Sequence, residues 1–224
     1  MAIRTDLQEA VDLITLVCDR LNLLPTTATS AAAATLRRLT GAVTADAEYL
    51  LGAPELAPRL LACFQAAMDA GATFQGLRLF REQVVLVPTD GVYARIVQQA
   101  ASRFAVIQMA RALAATDFRS LDAAQIAKAQ INAVFAVAEE GAADALDTAT
   151  YRALVTLHAA VARDLTTRAR PLPRIVSYET AGPLPALVLA QRLYGDASRA
   201  DDLVAENAAR APLFMPPSGR ALSA

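Results

Sequence analysis

Apolar residues recur at helical spacing along most of the chain. Over residues 6–21, Leu7, Val11, Ile14, Val17 and Cys18 share one face, while Asp6, Glu9, Asp12 and Arg20 lie mostly elsewhere, which predicts an amphipathic helix. Residues 23–30 form a break rich in Pro and Thr. Residues 31–39 read as a short helix ending at Gly41, Thr44 is placed to cap a second one that Gly52 ends, and residues 54–68 form a further helix closed by Gly71. Residues 72–88 are ambiguous. Leu77, Leu79 and Phe80, followed by Val84, Val85, Leu86 and Val87, fit either a helix and then a buried strand or one helix running toward Pro88. A lone strand has no partner, so a helix with an extended tail is the expectation.

From Thr89 a long helix is predicted over residues 90–115, its stripe passing through Val92, Ile96, Val97, Ala100, Phe104, Ile107, Ala110 and Leu113. Asp117-Phe118-Arg119-Ser120 is a turn, and Ser120 or Asp122 caps a helix that carries Ile126, Ile131, Val134, Phe135 and Ala138 and stops at Gly141. Another starts near Asp147 and carries Tyr151, Leu154, Leu157, His158, Val161 and Leu165 to about Arg168. Short connections between long helices imply an antiparallel, up-down arrangement. Arg170-Pro171-Leu172-Pro173 then acts as a hinge, because proline resists helix continuation.

The last fifty residues change character. A short β-prone run (Ile175, Val176, Tyr178) meets a turn at Ala181-Gly182-Pro183, and an apolar helix follows over residues 185–193. Tyr194-Gly195-Asp196 ends it, with Gly195 suited to the left-handed conformation and Asp196 or Ser198 suited to capping a second helix over residues 199–207. Leu189, Leu193, Leu203 and Val204 give the two helices a shared face, and Tyr194 suits the seam between them and a two-stranded ribbon. Pro217 and Gly219 turn the chain into a last strand at residues 221–223. The expected fold is mainly α: an Ala-rich antiparallel helical bundle over residues 1–170, with possible sub-parts 1–88 and 89–170, then a small βααβ module over residues 171–224.

Composition agrees with helix packing. Hydrophobic residues make up 55% of the sequence but aromatics only 5%, so Ala, Leu and Val must supply the core. A net charge of −1 gives no overall pull toward nucleic acid or an anionic membrane. Cys18 and Cys63 lie inside helical patterns without a Cys-x-x-Cys spacing, which predicts reduced core thiols. No stretch reaches the ~18 uninterrupted apolar residues of a membrane span. Arg4, Asp6, Glu9 and Asp12 rule out a signal-peptide pattern at the start, so intracellular synthesis is expected.

No motif in the sequence marks a catalytic centre. His158 is the sole histidine, whereas metal and triad sites need partners. The serines have no nucleophile-elbow context, and Gly182 and Gly195 are isolated, so no phosphate loop is expected. Glu139-Glu140 and Asp201-Asp202 are adjacent on helices and point about 100° apart, which predicts solvated faces and no converging acid pair. No catalytic residue, metal or cofactor is expected. Arg163, Arg168, Arg170 and Arg174 form a candidate basic contact stripe, read as charge balance or a protein contact in preference to DNA.

The pattern LYGDASRADDLVAEN followed by PLFMPPSGRAL, preceded by Leu184-Pro185-Ala186-Leu187-Val188-Leu189-Ala190 and with Arg210 and Pro212 after the second helix, resembles a LysM-like module. More narrowly, it is similar to the C-terminal end of the Mu-like phage DNA circularisation protein family, components of contractile-tail baseplates. The likeness is specific over roughly the last fifty residues and looser back to about Thr89. It implies a structural baseplate protein that docks on neighbouring tail proteins (hub, tube end or wedge), forms a homo-oligomeric ring, and passes from the host cytoplasm into the virion tail. Full-length family members carry a further N-terminal domain, so the chain is expected to be a C-terminal portion or a shortened relative. The interface residues it implies are Tyr194, Gly195, Asp196, Asn207, Phe214, Met215, Pro217 and Gly219. The first loop reads Ala-Gly-Pro-Leu-Pro where glycan-binding LysM modules have a Gly-Asp-Thr-Leu type, and the second is long and apolar, with Leu213, Phe214 and Met215. Those departures favour protein contact over peptidoglycan binding, and DNA binding stands as the other alternative.

Overall fold

Short polar side chains stand at several of the helix starts. Ser30 Oγ accepts the Ala33 N–H (3.1 Å), Thr73 Oγ1 that of Gly76 (3.1 Å), Ser120 Oγ that of Ala123 (3.2 Å) and Asp147 Oδ1 that of Thr150 (3.1 Å). Each satisfies a donor that the first helical turn leaves open. The computed structural model describes residues 2–25 and 27–223, with the side chains of residues 2–4 omitted; Thr26, in the expected break, is outside the described residues. Among these the chain is mainly helical, in the order α1 (Ala2–Asn22), α2 (Ala31–Ala45), α3 (Ala47–Leu51), α4 (Leu56–Asp69), α5 (Phe74–Val85), α6 (Val92–Ala114), α7 (Leu121–Asp144), α8 (Thr148–Ala169), β1 (Ile175–Glu179), α9 (Ala186–Tyr194), α10 (Ala200–Glu206) and β2 (Ser218–Leu222). Residues 72–88 hold helix α5 and no strand.

Two compact units result, Met1–Thr116 with Ile131–Ala159, and Asp117–Gln130 with Ala160–Ala224, so α7 and α8 each contribute to both. In the first, α1 packs on α2, α3 and α6, α4 on α2 and α6, and α5 on α6. Phe64 sits fully buried in its core, edge-on to Phe80 (5.4 Å between centroids) and Phe104 (5.8 Å). Fully buried side chains such as Ile14, Leu36 and Leu77 each contribute about 1.5–3 kcal/mol of burial. The start of α6 has no capping side chain of its own. Instead Glu9 on α1 accepts the N–H groups of Asp90 and Gly91 (both 2.8 Å), and Asp6 those of Val92 (3.3 Å) and Tyr93 (3.2 Å). Two carboxylates borrowed from another helix thus satisfy its open donors and face its positive end.

In the second unit β1 and β2 pair antiparallel, from Ile175 opposite Leu222 to Glu179 opposite Ser218. A two-stranded ribbon is marginal alone. Here Tyr178, Ala186, Leu189, Ala190, Leu203, Met215 and Ala221 form one buried cluster between ribbon and helices. Gly195 ends α9 at φ 69°, and a 3-10 turn over Ala197–Arg199 leads into α10. The Leu121 N–H donates to Pro173 O (2.9 Å) and the Ile175 N–H to Asp122 Oδ2 (2.8 Å), so the start of β1 is tied to the start of α7.

Several expectations need correction. Gly41 and Gly141 do not stop helices; α2 runs on to Ala45 and α7 to Asp144. An interior glycine costs a helix roughly 1 kcal/mol, which burial of Leu36 and Val43 in α2, and of Ile131 and Phe135 in α7, outweighs. Thr44 lies inside α2, and α3 starts after Asp46 without a side-chain cap bond. Val92 and Ile96 on α6, Ile126 on α7 and Tyr151 on α8 are exposed, while α6 buries Ala94, Val97, Ala101, Ala105, Val106 and Met109 around more than one face. Leu193 is also exposed, leaving Leu189 and Leu203 as the buried contact. The last strand begins at Ser218, so Gly219 is a strand residue opposite Tyr178 and not part of a turn.

Candidate functional site

The expected interface residues divide into an internal frame and an exposed edge. Tyr194 stands at the seam as anticipated: its Oη accepts the Leu222 N–H (3.1 Å) and the Arg199 guanidinium lies 3.9 Å over its ring. Burial raises the Tyr194 hydroxyl pKa, against the lowering effect of the Leu222 N–H. Asp196 Oδ1 accepts the Ser198 N–H (2.9 Å), and hydrogen bonding to Ser198 holds its carboxyl below the ordinary carboxylate range.

Asn207 is turned inward. Its Nδ2 donates to Leu203 O (2.8 Å) and Arg220 O (2.7 Å), and its Oδ1 accepts the Arg220 N–H (2.8 Å). The carboxamide therefore reads the backbone of β2 as a neighbouring strand would. Gly219 lacks a side chain for a reason: a Cβ there would run into Asn207 Oδ1 and come within 2.7 Å of Tyr178 Oη. The Tyr178 hydroxyl in turn donates to Pro216 O (3.3 Å), and the Thr180 N–H to Pro217 O (2.7 Å). Tyr194, Asn207 and Gly219 thus build the frame of the module.

Met215 corrects the expectation most directly. It is 0% exposed and its N–H donates to Leu184 O (2.9 Å), whereas Phe214 is 72% and Leu213 68% exposed. The same loop accepts the Ala186 N–H at Pro212 O (2.7 Å). Leu213 and Phe214 consequently stand on a loop pinned on both sides to the start of α9, whose outer face carries exposed Leu187 and Val188. Pro217 is exposed at the mouth of the ribbon.

Of the basic stripe, Arg168 is bound to Asp164 (2.8 Å) and lies over the Phe118 ring (5.5 Å), while Arg163, Arg170 and Arg174 are exposed. His158 has both ring nitrogens occupied: Nδ1 is 2.9 Å from Glu139 Oε1, Nε2 is 3.0 Å from Asn132 Oδ1, and the ring stacks on Phe135 at 4.7 Å. Glu139 is therefore a half-buried partner of His158, not part of a solvated face. This cluster pins α8 to α7. Cys18 and Cys63 are buried and free; the hydrogen bond with Cys18, together with burial, raises the Cys63 thiol. Among the described residues, no three His, Cys, Asp or Glu side chains gather as a metal site requires, and no helix is long and apolar enough to cross a membrane.

No signal in the sequence marks Asn207 as a clamp or Asp6 and Glu9 as remote caps, since both roles depend on which elements come together. No protein-family model matches the chain, and comparison with curated proteins finds no match.

Proposed function

We propose that this chain is a structural component of the tail baseplate of a contractile-tailed phage or phage-like particle. In this reading residues 171–224 form a LysM-like βααβ module that docks on neighbouring tail proteins. The observation that carries it is the Leu213–Phe214 edge: two large apolar side chains held out in solvent by a loop whose next residue, Met215, is fully buried. A rigid base under an exposed aromatic side chain lowers the entropy cost of binding, and such anchors dominate protein interfaces. The helical part, as an antiparallel bundle, serves as spacer and as the surface through which copies meet in a ring. The protein acts by assembly, not catalysis, first in the host cytoplasm and then in the virion.

The test is co-purification of the Leu213→Ser/Phe214→Ser variant with hub and tube-end proteins. Burial of the pair contributes at least about 3 kcal/mol, so roughly a hundredfold loss of affinity is expected with the module still folded. Undiminished association would overturn the proposed contact. Retention of the wild-type chain on purified sacculi would favour peptidoglycan binding. Duplex DNA binding that weakens steeply with salt and depends on Arg163, Arg170 and Arg174 would favour the DNA reading.

A further inference from the structure

The first unit holds a buried charge that nothing described so far uses. Arg81, on α5, is only 8% exposed, and its Nε has no hydrogen-bond partner. The adjacent Glu82 is engaged by Arg78 at 3.0 Å. Burial lowers the Arg81 pKa, with Glu82 opposing. An unpaired charge in the interior is among the costlier features that a fold can retain, and a partner from outside the chain removes the cost.

Arg81 lines a pocket of about 200 Å³. Ser102 and Arg103 on α6 share its polar side, and Arg103 is already paired with Asp147 at 3.2 Å. Its apolar lining is Val85, one turn along α5 from Arg81, with Val137 and Ala138 of α7. The polar lining thus offers the Arg81 side chain, a hydroxyl and the carboxamides of Gln98 and Gln99, of which Gln98 already donates to the Val84 and Val87 carbonyls, and the rest of the space offers hydrocarbon.

We propose that this pocket binds a small aliphatic carboxylate, with the acid group on Arg81 and Ser102 and the alkyl chain against Val85, Val137 and Ala138. The planar guanidinium fork matches a carboxylate. Phosphate would also suit Arg81 but would leave the apolar walls uncovered. The pocket lies below the roughly 300–1,000 Å³ of sites for drug-sized ligands. That size suits a short acid such as butyrate.

NMR on the full chain tests this. Sodium butyrate is titrated against butyramide, sodium phosphate and sodium chloride at matched ionic strength, following the Arg81 Nε–H signal and the Gln99 and Ser102 amides. The expected result is a saturable shift with butyrate, absent with butyramide and chloride and at least tenfold weaker with phosphate. Arg81→Met should lose that response while its Tm rises, because the unpaired charge is gone. Ser102→Asp is the second variant: it puts a carboxylate where the hydroxyl lines the pocket beside Arg81, which repels butyrate. A butyrate response equal to that of butyramide, one retained in either variant, or saturation by phosphate alone would overturn the proposal.

Discussion

Replacing Asn207 by Ala removes three hydrogen bonds at one stroke: 2.8 Å to Leu203 O, 2.7 Å to Arg220 O and 2.8 Å from the Arg220 N–H. A typical bond contributes about 1 ± 0.5 kcal/mol net. Arg220 is exposed, so water recovers its two backbone groups and those bonds count near the low end. The loss should total about 2 kcal/mol, which accelerates exchange from opened states roughly thirtyfold. Hydrogen exchange at the Thr180 and Leu222 amides reads this out, because both donate within the same frame, to Pro217 O and Tyr194 Oη. Asn207→Asp should be worse than Ala near neutral pH. It keeps an acceptor for the Arg220 N–H but sets carboxylate oxygen against the Leu203 and Arg220 carbonyls. Wild-type exchange rates in both variants would refute the clamp and return Asn207 to the contact surface.

Three further outcomes follow from the same geometry. Gly219→Ala should destabilise the second unit by about 1–3 kcal/mol, since its Cβ meets Asn207 Oδ1 and Tyr178 Oη, and Asn207→Ala should relieve part of that cost in the double variant; purely additive denaturation midpoints would count against the clash. Glu9→Ala should lower the stability of the first unit by about 0.5–2 kcal/mol in urea titration although Glu9 lies on α1, because the Asp90 and Gly91 N–H groups lose their acceptor; an unchanged midpoint would refute the remote cap. Asp196 has its carboxyl pKa held below the ordinary 3.8 by Ser198, so its contribution is complete above that value and is lost as pH falls through the lower, folded one. The entry to α10 should therefore loosen only below about pH 4, and an NMR titration showing the Asp196 carboxyl at or above its ordinary pKa would contradict this.

Local signals were the legible ones. Ser120 caps α7 and Gly195 ends α9 in the left-handed conformation because both roles are settled within four residues of chain. Tyr194 is legible at its seam, since a large side chain with one polar tip suits the border of helix and ribbon. Gly41 and Gly141 misled because a glycine ends a helix only where tertiary burial does not carry the helix through it. The α6 stripe misled because a helix contacted by α1, α4 and α5 does not bury a single face. Phe214 and Met215 are adjacent apolar residues in a proline-flanked loop, and nothing in composition tells which turns inward. Only the Leu184–Met215 bridge decides it. Arg81 is of the same kind: its burial follows from packing between elements, and its own helix reads as amphipathic.

The most direct measurement for the baseplate proposal is a cryo-EM map of an assembled tail particle containing this chain. The account predicts Leu213 and Phe214 buried against a neighbouring subunit, with Met215 still inside its own module. A map in which that edge faces open solvent, or in which the loops at Gly182 and Pro217 close on a glycan strand, would contradict it.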